Sequence, residues 1–99
     1  MTRRLGEHRL RASLNGQLGA ALHAMGRGAD AWDPLRKAVA QRRQVGLRRG
    51  TVESLTLLGV VLTEQGATAE GRAPLEEAVG LAIYGVDGWR RSRRQPVQA

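Results

Sequence analysis

Cysteine and phenylalanine are absent from this chain, and its 99 residues include only three aromatic side chains, Trp32, Tyr84 and Trp89. Without cysteine there is no disulfide scaffold, no thiolate-rich zinc site, no iron–sulfur cluster and no cysteine nucleophile. With 41% hydrophobic residues but so few rings, a core has to be assembled from Leu, Val and Ala, which favours packed helices. Long apolar runs are missing as well. The stretch Leu55–Leu62 is eight residues and contains Thr56 and Gly59, whereas a membrane span takes roughly 18 or more. The amino end, Met1 to Arg9, is basic but is not followed by the apolar stretch of a secretory signal. A cytoplasmic chain is the reading these absences leave, and at this length it forms a single domain.

Lysine is nearly missing too. Of sixteen basic residues fifteen are Arg, with Lys37 the exception, and nine acids leave a net charge of +7. The distribution says more than the sum: residues 1–50 carry +8, residues 51–86 carry −4, and residues 87–99 carry +3. The folded surface should therefore be strongly polarised. Arg42, Arg43, Arg48 and Arg49, together with Arg90, Arg91, Arg93 and Arg94 in the tail, form a candidate basic patch of the kind that neutralises phosphates. Against that reading, no aromatic residues are interleaved for base stacking and no groove-reading helix is recognisable.

What the chain does contain is an internal repeat. Laid over one another at an offset of forty, Leu18–Val39 and Leu58–Val79 share Leu18/Leu58, Gly19/Gly59, Leu22/Leu62, Gly26/Gly66, Ala29/Ala69, Pro34/Pro74, Leu35/Leu75, Ala38/Ala78 and Val39/Val79. Such self-similarity is the mark of a helical array. Each copy reads as an antiparallel pair of helices. In the second, Leu55, Leu58 and Leu62 recur at helical spacing, Gly66 punctuates, and Leu75, Ala78, Val79, Ala82 and Ile83 form an apolar stripe. In the first, Leu10, Leu14, Leu18 and Leu22 lead to Gly26, and Leu35, Ala38 and Val39 follow. Thr68 and Asp33 are placed to act as N-caps, and Pro34 and Pro74 are tolerable in a first turn. Arg42 and Arg43 stand where the second copy has Ala82 and Ile83, which predicts an exposed helix end with the cations favoured by the helix dipole.

The pattern Leu58-Gly59-x-x-Leu62 with Gly66, Leu75 and Ala78, and its twin Leu18-Gly19-x-x-Leu22 with Gly26, Ala31, Leu35 and Ala38, resembles the tetratricopeptide repeat. The spacing of forty exceeds that family's usual length of about thirty-four and is closer to the longer repeats of kinesin light chains and of bacterial regulator sensor regions. The resemblance implies an all-α fold, a short α-solenoid of two antiparallel helix-turn-helix repeats, 10–45 and 51–85. Residues 1–9 would be a basic leading segment or the end of a preceding helix, and 86–99 a basic tail that is disordered or capping. Asn15 in place of Leu55's equivalent, and Gly71 in place of the usual Ala, depart from the pattern and should loosen the packing locally.

The resemblance also implies a non-catalytic module that binds a protein or peptide along the first helices of its repeats. Carried over position by position, that groove presents Ser13, Gly16, Ala20, His23 and Ala24, then Glu53, Thr56, Val60, Thr63 and Glu64. Such a surface is small-sided and mildly acidic, suited to a neutral or basic extended segment. Residue chemistry points the same way. His8 and His23 have no second ligand at i+3 or i+4, there is no glycine-rich loop ending in Lys and Ser or Thr, and Glu76-Glu77 with Glu64 has no base partner. No enzyme activity, metal or cofactor is expected. A nucleic-acid or regulator accessory, or a fragment of a larger regulator, are the competing readings. Finally, two repeats leave an apolar face uncovered. Leu75, Val79, Ala82 and Ile83 should be met by Trp89 folding back, by a second copy of the chain, or by further repeats.

Overall fold

The computed structural model describes residues 2–94, with side chains described from residue 6 onward except those of His8 and Arg94. Four helices follow one another: α1 (Thr2–Ala24), α2 (Gly28–Gln44), α3 (Arg48–Glu64) and α4 (Thr68–Arg94). There is no strand among the described residues. Each helix packs on its neighbour in sequence, and α1 also touches α3, so the fold is all-α, built of antiparallel helical hairpins. It spans 43 × 41 × 16 Å. With helix axes packing 8–10 Å apart, the thin dimension holds about two helices, and much of each helix stays open to solvent.

Glycines set the punctuation. Gly26, Gly46, Gly66 and Gly85 all have φ between 74° and 85°, a region that residues with a Cβ enter only at a cost. At the first three the same pair of bonds closes the helix. The N–H of Gly26 donates to His23 O and that of Arg27 to Leu22 O, and these bonds recur at Gly46/Leu47 and Gly66/Ala67. This is the Schellman closure, repeated every twenty residues, so the repeat of forty is two such hairpin steps. Gly85, with ψ 178°, breaks α4 into helices 68–84 and 86–94.

Several boundaries differ from those the sequence suggests. Residues 2–9 belong to α1 and are no separate segment. The helices α2 and α4 start earlier than their prolines imply, so Asp33 lies inside α2 and Thr68 is already helical. The caps of α2 and α3 are Arg27 and Leu47, with no side-chain hydrogen bond. Pro34 and Pro74 consequently sit a full turn further in, where each leaves the carbonyl four residues earlier without its helical N–H. The tail 86–94 is helical, while residues 95–99 lie outside the described part.

Two clusters make the core. Ala31, Leu35, Leu58, Val61 and Leu62 are joined by Leu22, Trp32 and Leu57, and Val39, Leu55, Ala78 and Leu81 are joined by Val52 and Trp89. Gly71, rather than loosening the second repeat, tightens it. A Cβ there would come within 2.7 Å of Gly59 O, and one on Gly59 within 2.9 Å of Gly71 O, so α3 and α4 meet backbone to backbone. Asn15 is likewise used: its Nδ2 donates to Gln41 Oε1 at 2.9 Å, tying α1 to α2.

The tail folds back, but onto a different face from the one expected. The Trp89 ring lies over Gly80, where a Cβ would stand only 2.0 Å from it, and it packs with Leu81. Val79, Ala82 and Ile83 stay exposed. Trp32, the other indole, is half-buried with its Nε1 unpartnered. Its replacement by Phe removes an unpaired donor along with some packing, and should change stability by less than about 1 kcal/mol. In that background, Gly80→Ala should shift the Trp89 emission to longer wavelength with the far-ultraviolet helical signal unchanged.

Candidate functional site

Between α1 and α3 runs a cleft of about 300 Å³ whose floor is formed by α2. Its α1 wall is Ser13, Gly16, Gln17 and Ala20, and its α3 wall is Glu53, Ser54 and Leu57. Small residues keep that wall low because α1 and α3 touch only lightly and α2 supplies most of the packing between them. Leu35, which Gly19 lets α1 approach closely, and Arg42 close the bottom.

Arg42 is the most constrained polar side chain here. It threads between two glycines: a Cβ on Gly50 would be 2.7 Å from its Cδ, and one on Gly16 would be 3.0 Å from its Nη2. From Nη1 it donates to Gly50 O at 2.8 Å and to Ser54 Oγ at 2.9 Å. The guanidinium is thus half-buried and pinned across α2 and α3, with Nη2 beside Gly16, which lines the cleft. This corrects the expectation of a solvated helix end for Arg42. Its neighbour Arg43 is exposed and pairs with Glu77 across α2 and α4.

The cleft continues into a second hollow that shares Ser13, Arg42 and Glu53 and adds Arg9, Arg48 and Arg49 around Gly46. Four arginines against one glutamate make this stretch positive, where the sequence suggested a mildly acidic groove. His23 Nε2 and Glu64 Oε1 are 2.7 Å apart, a hydrogen bond that ties α1 to α3.

Of the groove residues read from the sequence, Ser13, Gly16, Ala20 and Glu53 line the cleft, and His23 and Glu64 bridge its two walls. Ala24 is exposed at the end of α1. Thr56, Val60 and Thr63 are not part of the cleft. Thr56 and Thr63 donate to Val52 O and Gly59 O on their own helix, and Thr63 borders a shallow apolar hollow with Leu75 and Val79. The reason is geometric. These three are the forty-residue equivalents of Gly16, Ala20 and His23, so they face away from α1 toward the position a following helix would take. Gln17, Leu35, Arg42, Ser54 and Leu57 are the lining residues that position-by-position transfer missed. Gly16 and Gly50, which leave room for Arg42 between α1 and α3, are the sequence features that bear on its course.

The basic residues also gather. Arg42, Arg43, Arg48 and Arg90 surround a pocket of about 260 Å³ floored by Leu81, Val86 and Trp89. Arg49 lies in the neighbouring hollow. Arg93 stacks over the Trp89 ring, 5.4 Å from its centroid, Arg91 is exposed, and the Arg94 side chain lies outside the described part. Among the described residues there is no group of three His, Cys, Asp or Glu placed to hold a metal ion, and no helix is long and apolar enough to cross a membrane. His8 falls outside the described side chains. Comparison of the chain with known protein families, with curated proteins and with solved structures gives no match.

Proposed function

We propose that the chain is a non-catalytic protein-interaction module that holds an extended acidic segment of a partner in the cleft between α1 and α3. The observation that carries this reading is the Arg42 guanidinium, fixed by Gly50 O and Ser54 Oγ at the floor of a cleft walled by Ser13, Gly16 and Ala20. Low walls admit a peptide backbone. A guanidinium already held in place loses little side-chain entropy on meeting a carboxylate, and charge-assisted bonds of this kind are the stronger ones. Arg9, Arg48 and Arg49 extend the preference for acidic residues along the same line. The likeness of the repeats to tetratricopeptide repeats supports the same class of partner, and the positive lining replaces a neutral or basic peptide by an acidic one.

Fluorescence anisotropy with a labelled Asp- and Glu-rich peptide and its Lys-rich counterpart tests this. The acidic peptide should bind, the basic one should not, and Arg42→Gln should weaken binding about tenfold, the worth of one charge-assisted hydrogen bond. Arg48→Gln, an exposed change, separates lost charge from lost folding. Equal binding of both peptides, or none, overturns the reading. The arginines around Gly46 and Trp89 favour one alternative, a nucleic-acid phosphate backbone. Labelled single- and double-stranded DNA binding more tightly than the acidic peptide, with affinity falling steeply in salt, would establish that instead.

A further inference from the structure

The joint between α2 and α3 shows what the two outer faces of the array fit. In that joint α3 presents Gly50, Ser54, Leu58 and Val61 to α2, followed by its C-cap Gln65. Gly50 and Ser54 meet Arg42, and Val61 and Gln65 meet Gly28. Forty residues earlier the same positions are Leu10, Leu14, Leu18 and Ala21 on α1 and Met25 just after it, every one apolar and every one exposed. On the other side of the joint α2 presents Gly28, Leu35, Val39 and Arg42. Forty residues later these are Thr68, Leu75, Val79 and Ala82, with Ile83 beside them. The burial contrast is large: Leu58 is 7% exposed and Leu18 49%, Val39 7% and Val79 58%. Trp89 does not cover this α4 face, since it sits over Gly80 and Leu81.

We propose that copies of this chain associate head to tail, with α1 of one copy seated on the Leu75–Val79–Ile83 face of α4 of the next, rebuilding the α2–α3 joint between molecules. Three observations select a second copy as the occupant. The two faces are the two halves of a joint whose geometry the chain already contains. Their sizes are complementary: where the internal joint threads the long Arg42 over Gly50 and Ser54, the outer faces oppose the short Ala82 to the long Leu10 and Leu14. Their surroundings are opposite in charge, because α1 carries +3 (Arg3, Arg4, Arg9 and Arg11 against Glu7) and residues 68–84 of α4 carry −2 (Arg72 against Glu70, Glu76 and Glu77), which orients α1 toward α4 and disfavours α1 against α1. Repeat arrays that stay monomeric present polar outer faces, and these two are more apolar than the joint inside. The contact uses neither Arg42 nor the cleft wall, so it is independent of peptide binding.

Because the contact is heterologous, it does not close at a dimer. Light-scattering mass should rise steadily with concentration, without a plateau at twice the monomer. Leu14→Asp blocks the head and Ile83→Asp blocks the tail. Both residues are exposed, so the variants should keep the helical circular dichroism. Each alone should be monomeric at every concentration, and their mixture should give a one-to-one heterodimer and nothing larger, since one free head and one free tail remain. A monomeric parent chain overturns the proposal. So does either variant forming a homodimer, which would reveal α1 against α1 or α4 against α4, and so does a mixture that stays monomeric.

Discussion

Gly59→Leu should leave the chain largely unfolded, whereas Gly6→Ala should leave it as stable as the parent or slightly more so. At Gly59 even the first carbon of a side chain has no room. A Cβ would stand 2.4 Å from Leu75 Cγ, 2.8 Å from Leu75 Cδ2 and 2.9 Å from Gly71 O. The Leu75 side chain can rotate, but the Gly71 carbonyl belongs to the backbone of α4, so relief requires the two helices to move apart. Overpacking of this sort typically costs about 1–3 kcal/mol and more when backbone must shift. A chain of this size has only about 5–15 kcal/mol in total. The leucine adds three further carbons to a contact that already excludes one, so its cost should consume most of that margin. Gly6, on exposed α1, has nothing within 4 Å of its Cβ position, and Ala there gains up to about 1 kcal/mol of helix propensity. Urea unfolding followed at the helical band, at one fixed protein concentration because association adds apparent stability, ranks the variants. Gly59→Leu unfolding at the same urea concentration as the parent would mean that α3 and α4 do not meet at this position.

The equivalent change on the first repeat sharpens the point. At Gly19 a Cβ meets only the Leu35 side chain, at 2.6 Å, with no backbone atom within 4 Å among its three nearest neighbours. The two glycines look interchangeable in the repeat, yet only Gly59 faces another glycine, because Gly71 stands where the first repeat has Ala31. That distinction explains why the fold was more legible than the site. Gly26, Gly46 and Gly66 announce the turns, and the leucines between them announce helices, since both depend on local backbone geometry and on periodicity. The forty-residue identity then sets which helix packs on which. What periodicity does not carry is the difference between the repeats. Leu10, Leu14 and Leu18 have the same spacing as a core stripe, but α1 has a packed neighbour on one side only, so they are exposed. Arg42 has the composition of a solvated helix end, but glycines on α1 and α3 open a channel that pulls it into the cleft. Four of the predicted groove residues do line one cleft, three on its α1 wall and Glu53 on its α3 wall, and Thr56, Val60 and Thr63 do not, because one groove is made from opposite faces of successive helices.

Leu35→Ala should cost about 2–5 kcal/mol, the range for emptying a fully buried leucine site, and should cost more than the same change at its repeat partner Leu75. Leu35 is 1% exposed and packs with Ala31, Leu58, Val61 and Leu62 at the meeting of three helices, whereas Leu75 is half-buried beside the open face of α4. The environment of Leu35 makes a stronger prediction than the single loss. Gly19 is forced to be glycine by the Leu35 methyls, so Gly19→Ala alone should be destabilising. In the presence of Leu35→Ala the obstructing atoms are gone, and the new methyl group enters the space they leave. The double variant should therefore be more stable than the sum of the two single losses predicts, with a coupling above about 0.5 kcal/mol, as expected of residues in direct contact. Strict additivity would mean that α1 and α2 shift to relieve the crowding, and that the α1 wall of the cleft, which rests on this contact, is not fixed by it. Acidic-peptide affinity measured on the same four proteins reads that second consequence directly. If Leu35 holds the wall, Leu35→Ala weakens binding although it touches only the floor, and adding Gly19→Ala restores part of the loss.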